Sequence, residues 1–317
     1  MDWNAKCIVF DVTNACNMNC RHCYKKTSRI NNIDEKSIYK FLLMIGDYID
    51  INNIVISGGE PLLYPEIKNM LLYLNGKYNI RLNTNGVLLD KYLDVFYKMT
   101  KFKIQVSLDG YDNDTYYNVR NNNSFDKVIY NSVLCNRMGL NIVLRATLTN
   151  NTIDDYRKFF IISEKTNIPL KIKPMLNMET VSAADLHIGK ERLMKWYNDL
   201  SYSDKSNYIE GDIFNDKYQC SLLKEVPTMS TLYIDEKGEM YPCIGLQNDM
   251  FKLGNIKDTD YKSIGENLLK VTGFVKSILN EKKCINCGFR NDIGDGTCIA
   301  ACFYGREDCF NKTIQGE

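Results

Sequence analysis

At 317 residues the chain exceeds what a single hydrophobic core usually organises, so one large domain and a smaller one are expected. A hydrophobic share of 44% and a charged share of 25% suit an ordinary globular protein, and a net charge of +1 without a basic run argues against nucleic acid as the main partner. The opening Met1-Asp2-Trp3-Asn4-Ala5-Lys6 is not a signal peptide and no apolar run approaches membrane-spanning length, so no membrane partner and a cytoplasmic location are expected.

Twelve cysteines in such a location point to metal or catalysis rather than disulfides. Cys16, Cys20 and Cys23 stand together, and seven more fall between Cys220 and Cys309. Cys7 and Cys135 stand alone and read as buried thiols acting as small hydrophobes.

In chain order, residues 6–12 form a β-rich strand that leads into the run Cys16-x3-Cys20-x2-Cys23. Three thiolates in eight residues can wrap one corner of a cubane iron–sulfur cluster and leave the fourth iron without a protein ligand. A zinc knuckle or a ferredoxin-like carrier is the alternative, although zinc favours four ligands in paired spacings and a carrier needs four cysteines per cluster. From Asp34, residues Ile38, Phe41, Leu42, Ile45 and Ile49 recur at helical spacing. A second strand over 53–57 delivers the turn Gly58-Gly59-Glu60-Pro61, and a helix follows with Ile67, Met70, Leu71 and Leu74 on one face. A third strand over 80–83 ends at Thr84-Asn85-Gly86, with the next helix over 88–99. The strand over 103–108 ends at Asp109-Gly110, and a helix runs from Ser124 to near Gly139. A strand over 141–148, a helix over 152–166, a strand over 170–173 and a helix near 190–200 complete six β-α units. Such alternation implies a parallel sheet with right-handed crossovers, and reactive loops belong at the C-terminal ends of its strands.

The pattern breaks near residue 205, giving expected domains of 1–204 and 205–317. A hairpin over 229–234 and 239–244 turns at Asp235-Glu236-Lys237-Gly238. Beyond it the chain is cysteine-punctuated, with weak periodicity and too little apolar surface for a large core of its own; bound clusters would supply the missing cross-links.

The triplet after a first strand, together with Gly58-Gly59-Glu60-Pro61, resembles the radical S-adenosylmethionine (SAM) enzymes. Cys220, Gly238-x4-Cys243, Cys284-x2-Cys287, Cys298-x3-Cys302 and Cys309 resemble their SPASM extension, with the usual five-residue gap enlarged to ten residues over 288–297. The resemblance implies an α/β fold: a partial (β/α)6 barrel followed by a small cysteine-rich SPASM domain with a β-hairpin. It implies that the open iron is chelated by the amine and carboxylate of SAM, with Gly58, Gly59, Glu60, Asn85, Ser107 and Arg120 around the cofactor and Arg120 facing its carboxylate. Three [4Fe-4S] clusters are implied, one binding SAM and two auxiliary. Carried over, the family's ligand assignment puts Cys284, Cys287, Cys298 and Cys309 on one auxiliary cluster. Cys220, Cys243 and Cys302 hold the other, whose fourth position is then open or filled by another side chain.

The activity implied is reductive cleavage of SAM to a 5′-deoxyadenosyl radical that abstracts hydrogen from a peptide or amino-acid substrate, ending in a crosslink, thioether or oxidation. The runner-up is an oxidation of a small molecule or a step in cofactor biosynthesis; a non-catalytic electron carrier is a third class. Sulfatase maturation is disfavoured because Ile244 stands where those relatives place an Asp. The chain reaches its first strand at residue 6, so recognition of a peptide's leader is expected to need a separate leader-binding protein or the barrel itself, and flavodoxin or ferredoxin is the expected electron donor. No catalytic base stands out. His22 reads as a neighbour of the cluster or a solvent-facing residue rather than a ligand, and Glu179, Asp185 and His187 as a surface loop that substrate could reach.

Overall fold

The computed structural model describes residues 5–23, 25, 29–175, 183–209, 222, 229 and 231–279. Cys220, Cys284, Cys287, Cys298, Cys302, Cys309 and Glu179 lie outside the described residues.

Six strands run parallel: β1 (Cys7–Asp11), β2 (Asn53–Ser57), β3 (Asn79–Thr84), β4 (Phe102–Ser107), β5 (Ile142–Leu148) and β6 (Leu170–Pro174). The helices between and after them are α1 (Glu35–Gly46), α2 (Ile67–Leu74), α3 (Leu93–Phe96), α4 (Asn113–Arg120), α5 (Phe125–Arg137), α6 (Arg157–Thr166), α7 (Lys190–Asp199) and α8 (Tyr202–Tyr208). Side chains alternate across a strand. In β3 this buries Ile80, Leu82 and Thr84 and leaves Arg81 and Asn83 partly exposed on the other face; in β6 it buries Leu170 and Ile172 and leaves Lys171 and Lys173 partly exposed. The apolar set joins one core with Ile38, Phe41, Leu42 and Ile45 of α1 and Met70, Leu71 and Leu74 of α2. Each such side chain taken fully from water is worth about 1.5–3 kcal/mol, which fixes the register of every strand.

The expected six-unit α/β architecture is present as an open sheet. Its order is β6-β5-β4-β3-β2-β1-β7-β8-β9, where β7 (Thr231–Ile234), β8 (Glu239–Tyr241) and β9 (Gly254–Asn255) follow the barrel units. β7 lies parallel to β1 and then turns back antiparallel through β8, so the expected hairpin extends the same sheet. At its turn Asp235 Oδ1 accepts from the backbone N–H groups of Lys237 and Glu239, both at 2.9 Å, while Gly238 takes a positive φ of 84°.

Three local differences have physical causes. The helix expected over 88–99 is a 3-10 turn at Leu89–Lys91 and then α3, because Tyr92 between them has left the helical region at φ −125°. The stretch between Gly110 and Ser124 holds α4, whose start is fixed by a capping box between Asp112 and Thr115. The weak periodicity expected after the hairpin is overturned by α9 (Tyr261–Leu279), which buries Ile264, Leu268, Val271 and Val275 against the common core. No helix among the described residues is long and apolar enough to cross a membrane.

Candidate functional site

All seven parallel strands deliver their C-terminal ends to one edge of the sheet. The residues singled out for chemistry in the described part of the barrel stand there.

The chain leaving β1 stays tied to the end of β2. Val12 N donates to Ser57 O at 3.0 Å, Gly59 N to Thr13 O at 2.7 Å and Glu60 N to Ala15 O at 2.8 Å. This approach explains the glycine pair. A Cβ on Gly58, whose φ is +136°, would meet Thr13 O at 2.3 Å, and one on Gly59 would meet Ala15 O at 2.4 Å. The double glycine therefore seats the segment that carries the cysteine triplet.

Glu60 turns inward. Its fully buried carboxylate accepts from Leu62 N (3.1 Å) and Thr84 Oγ1 (2.8 Å) through Oε1 and from Asn85 N (2.8 Å) through Oε2. Burial pushes its carboxyl up to about 6, against the three hydrogen bonds that favour the ionised form. Glu60 thus ties the ends of β2 and β3 together. Asn85 extends the tie into the triplet by donating from Nδ2 to Asn17 Oδ1 at 2.7 Å. Ser107 ends β4 opposite Arg145 of β5.

Within the triplet Cys16 is exposed, Cys23 partly buried and Cys20 buried. Although Cys16 is exposed as a residue, the protein packed around its sulfur desolvates it and pushes the thiol up to about 11, with the Glu60 carboxylate and the sulfurs of Cys20 and Cys23 adding to the push. Cys23 is raised as well, first by burial and then by Cys20. Two partly desolvated thiols, Cys16 and Cys23, that resist ionising suit a bound cationic iron centre, which would favour their thiolates. Among the described residues no group of three or more His, Cys, Asp and Glu side chains converges on a single-ion site. A cluster instead asks each cysteine to bind a different iron.

Arg120, expected to face the cofactor carboxylate, also reaches two protein groups. Its Nη2 pairs with Asp109 Oδ2 at 2.5 Å and its Nη1 donates to Cys20 Sγ at 3.6 Å, so both terminal nitrogens face protein groups. Asp109 is almost completely buried; its Oδ1 accepts from Thr147 N at 2.7 Å, and His22 Nε2 lies 3.2 Å from its Oδ2. Although burial opposes ionisation, Arg120 and His22 hold the Asp109 carboxyl well below the usual carboxylate range. Arg120 Nε and His22 Nδ1 are buried without a hydrogen-bond partner. These orphaned nitrogens beside Cys20 fit a further group at this place. The sequence placed Asp109 only at a strand end and did not show its link through Arg120 to Cys20; the Asp112–Thr115 capping box, which places Arg120 at the end of a helix, was the available signal.

A second buried network lies on the other side of the loop. Lys25 Nζ sits 2.8 Å from Asp11 Oδ2 and 2.5 Å from Glu236 Oε2, and all three side chains are at most 7% exposed. The Tyr233 hydroxyl lies between Asp11 Oδ2 and Gln247 Oε1, 3.1 Å from the latter. The end of β1, Lys25 two residues beyond the triplet and the hairpin turn after β7 thus share one set of charges. Cys243 is partly buried two residues beyond β8, and Gly245 N donates to its sulfur at 3.4 Å. Asp185 is exposed and held by Arg21 through contacts of 2.6 and 2.7 Å, while His187 is partly exposed with a buried, unpartnered Nε2. Asp185 and His187 thus belong to the surface beside the triplet, with Arg21 also donating to Asn118 O at 3.1 Å.

A model of the Radical SAM superfamily matches residues 10–160. Fe-coproporphyrin III synthase of Methanosarcina barkeri is 28% identical over 168 residues, covering 51% of this chain and 42% of that protein. The chain spans about half the length of several curated relatives it matches. Mycofactocin maturase MftC of Mycobacterium tuberculosis is 23% identical over 318 residues, covering 94% of this chain and 79% of that protein. Among solved structures, Streptococcus suis SuiB bound to S-adenosylmethionine superposes with a TM-score of 0.72 at 18% identity, covering 93% of this chain and 73% of SuiB. SuiB bound to the precursor peptide SuiA gives a TM-score of 0.74 at 17% identity, covering 93% of this chain and 72% of SuiB. At these identities the likeness to SuiB is one of fold.

Proposed function

We propose, from the match of residues 10–160 to the model of the Radical SAM superfamily, that the protein is a radical SAM enzyme that cleaves S-adenosylmethionine reductively and takes a hydrogen atom from a peptide or amino-acid substrate. The observation that carries the reading is the triplet loop seated by Gly58 and Gly59 at the strand ends, where Cys16, Cys20 and Cys23 lie near enough to feel one another's charge. When bound, the iron–sulfur cluster and SAM supply a one-electron reduction of the sulfonium and the deoxyadenosyl radical that follows. The chain's own part is positional. Cys16, Cys20 and Cys23 hold the cluster; the Gly58-Gly59-Glu60 turn and Asn85 shape the cofactor's place; Ser107 faces it from β4. Residues 205–317 act as an auxiliary-cluster domain through Cys220, Cys243, Cys284, Cys287, Cys298, Cys302 and Cys309.

The likeness to MftC over nearly the whole chain supports a peptide substrate, as does the shared fold with a protein solved with its precursor peptide. Oxidation of a small molecule or tetrapyrrole is the second reading, supported by the likeness of half the chain to Fe-coproporphyrin III synthase. An external electron donor of flavodoxin or ferredoxin type and a separate leader-binding protein complete the proposal.

The test is anaerobic reconstitution with iron and sulfide, followed by incubation with dithionite and SAM. The expected product is 5′-deoxyadenosine. A reconstituted protein with a full complement of iron that forms none overturns the enzyme reading in favour of an electron carrier.

A further inference from the structure

We infer that Arg120, held by Asp109, is a positioning residue for the cluster cysteine Cys20, and that this pair sets the reduction potential of the N-terminal cluster. The inference rests on the reading that Cys16, Cys20 and Cys23 hold that cluster.

The first observation is the division of the guanidinium between two partners. Nη1 donates to Cys20 Sγ at 3.6 Å, while Nη2 pairs with Asp109 Oδ2 at 2.5 Å. The second is burial. The Arg120 side chain is 10% exposed and that of Asp109 1%, so the charges act through a medium that screens them poorly. The third is fixity. Asp109 is anchored by Thr147 N at 2.7 Å, and Arg120 ends α4 beside the left-handed cap Asn121. A planar fork suspended between a carboxylate and a sulfur cannot swing away without leaving a buried charge unpaired.

The consequence follows from charge. Reduction adds one electron to the cluster, and a cationic N–H donor on a ligand sulfur stabilises the more negative state. Arg120 therefore raises the potential. Asp109 lies behind it and opposes the effect, so the net field at Cys20 is that of an oriented pair with its positive end toward the sulfur. Arg21 gives the contrast. It is adjacent to Cys20 in sequence, yet its guanidinium is turned onto the exposed Asp185 and the carbonyl of Asn118.

The experiment is a redox titration of the full reconstituted chain followed by electron paramagnetic resonance, reading the signal that changes on addition of SAM so as to separate this cluster from any others. Arg120→Gln is expected to make reduction harder by roughly tenfold in the equilibrium, about 59 mV for a one-electron couple. Asp109→Asn is expected to shift it in the opposite direction by a similar factor, and Arg21→Gln to leave it in place. Opposite signs are the signature: damage to packing alone moves both variants the same way. If Arg120→Gln fails to hold a cluster, Arg120→Lys and Asp109→Asn carry the test, with Asp109→Asn still required to move upward. An intact, SAM-responsive signal whose potential is the same in the wild type, Arg120→Gln and Asp109→Asn overturns the inference and leaves the enzyme reading standing. A wild-type chain with no iron–sulfur signal overturns the enzyme reading itself.

Discussion

Lys25 provides the sharpest test of how the cluster loop is tied to the hairpin. Its ammonium lies 2.8 Å from Asp11 and 2.5 Å from Glu236, and none of the three side chains is more than 7% exposed. Burial alone lowers a lysine pKa, but the two carboxylates more than reverse it and the net shift is upward, so the ammonium stays charged. At an effective dielectric of about 20, each contact is worth roughly 6 kcal/mol of Coulomb attraction before desolvation is subtracted. Desolvation takes back several kcal/mol per ion, and removing one member of a buried pair typically costs about 3–5 kcal/mol net. Lys25→Met keeps the length and apolar stem of the side chain and removes only the charge, leaving two buried carboxylates together. The expected loss is about 3–5 kcal/mol, or roughly 6–10 °C in the thermal midpoint at about 2 °C per kcal/mol. Differential scanning calorimetry on anaerobic protein measures it, with Glu236→Gln and the double variant completing a cycle. Adding Glu236→Gln to Lys25→Met should restore about 1–3 kcal/mol, because it removes a carboxylate left without its cation. A double variant whose loss is the plain sum of the two single losses would refute the shared-charge account.

Three further outcomes are expected. Gly59→Ala places a methyl group 2.4 Å from Ala15 O, so the segment before Cys16 must move; bound iron at the N-terminal site and 5′-deoxyadenosine should fall at least tenfold, while the helical circular dichroism is kept. Cys20→Ala should remove about four irons per chain, whereas Cys135→Ala, at a fully buried thiol on α5, should keep the iron and lose about 1–2 kcal/mol of stability. Equal iron loss in the two variants would contradict the assignment of Cys135 to the core. Asp235 carries a pH effect: burial pushes its carboxyl up to about 6 from 3.8, against the hydrogen bonds from Glu239 N and Lys237 N. Because the folded pKa is the higher one, the folded state holds the extra proton between pH 4 and 6, and this group's contribution to stability falls as pH rises through that window. Asp235→Asn keeps an oxygen acceptor and loses the charge, so its stability relative to the wild type should increase from pH 4 to pH 7. A difference that is flat or falls over that range counts against the assignment.

The parts of the fold legible in the sequence were those set by near neighbours. Ile54, Val55 and Ile56 before a double glycine, and Ile80 and Leu82 alternating with Arg81 and Asn83, carry strand and face in a few residues. α1 was equally open to reading, since Asp34 caps it through Ser37 N at 2.8 Å and Ile38, Phe41, Leu42 and Ile45 follow at helical spacing. α4 escaped because its sequence has no apolar stripe: of its eight residues only Tyr116, Val119 and Arg120 are buried. α9 escaped for a different reason. Its buried Ile264, Leu268, Val271 and Val275 are regular, but they lie between Cys243 and Cys284, and cysteines on both sides point to metal rather than to core.

The candidate site divides along the same line. Residues 16–23 form no strand or helix, so their shape comes from what holds them. One tie, to Gly59 and Glu60 of the β2 turn, is announced by a glycine pair that any reader of the sequence can find. The other two are not announced. Arg120 reaches Cys20 across 100 residues, and Lys25 meets Glu236 across 211, each through ordinary charged residues that elsewhere would be surface. A charge becomes part of the site only when the register of β1 beside β7, or of β4 beside β5, buries it next to the loop. The triplet therefore specifies which atoms can hold iron. The strand ends around it specify the field those atoms work in, and on the inference drawn above two chains with the same cysteines but different residues at positions 109 and 120 would hold the proposed cluster at different potentials.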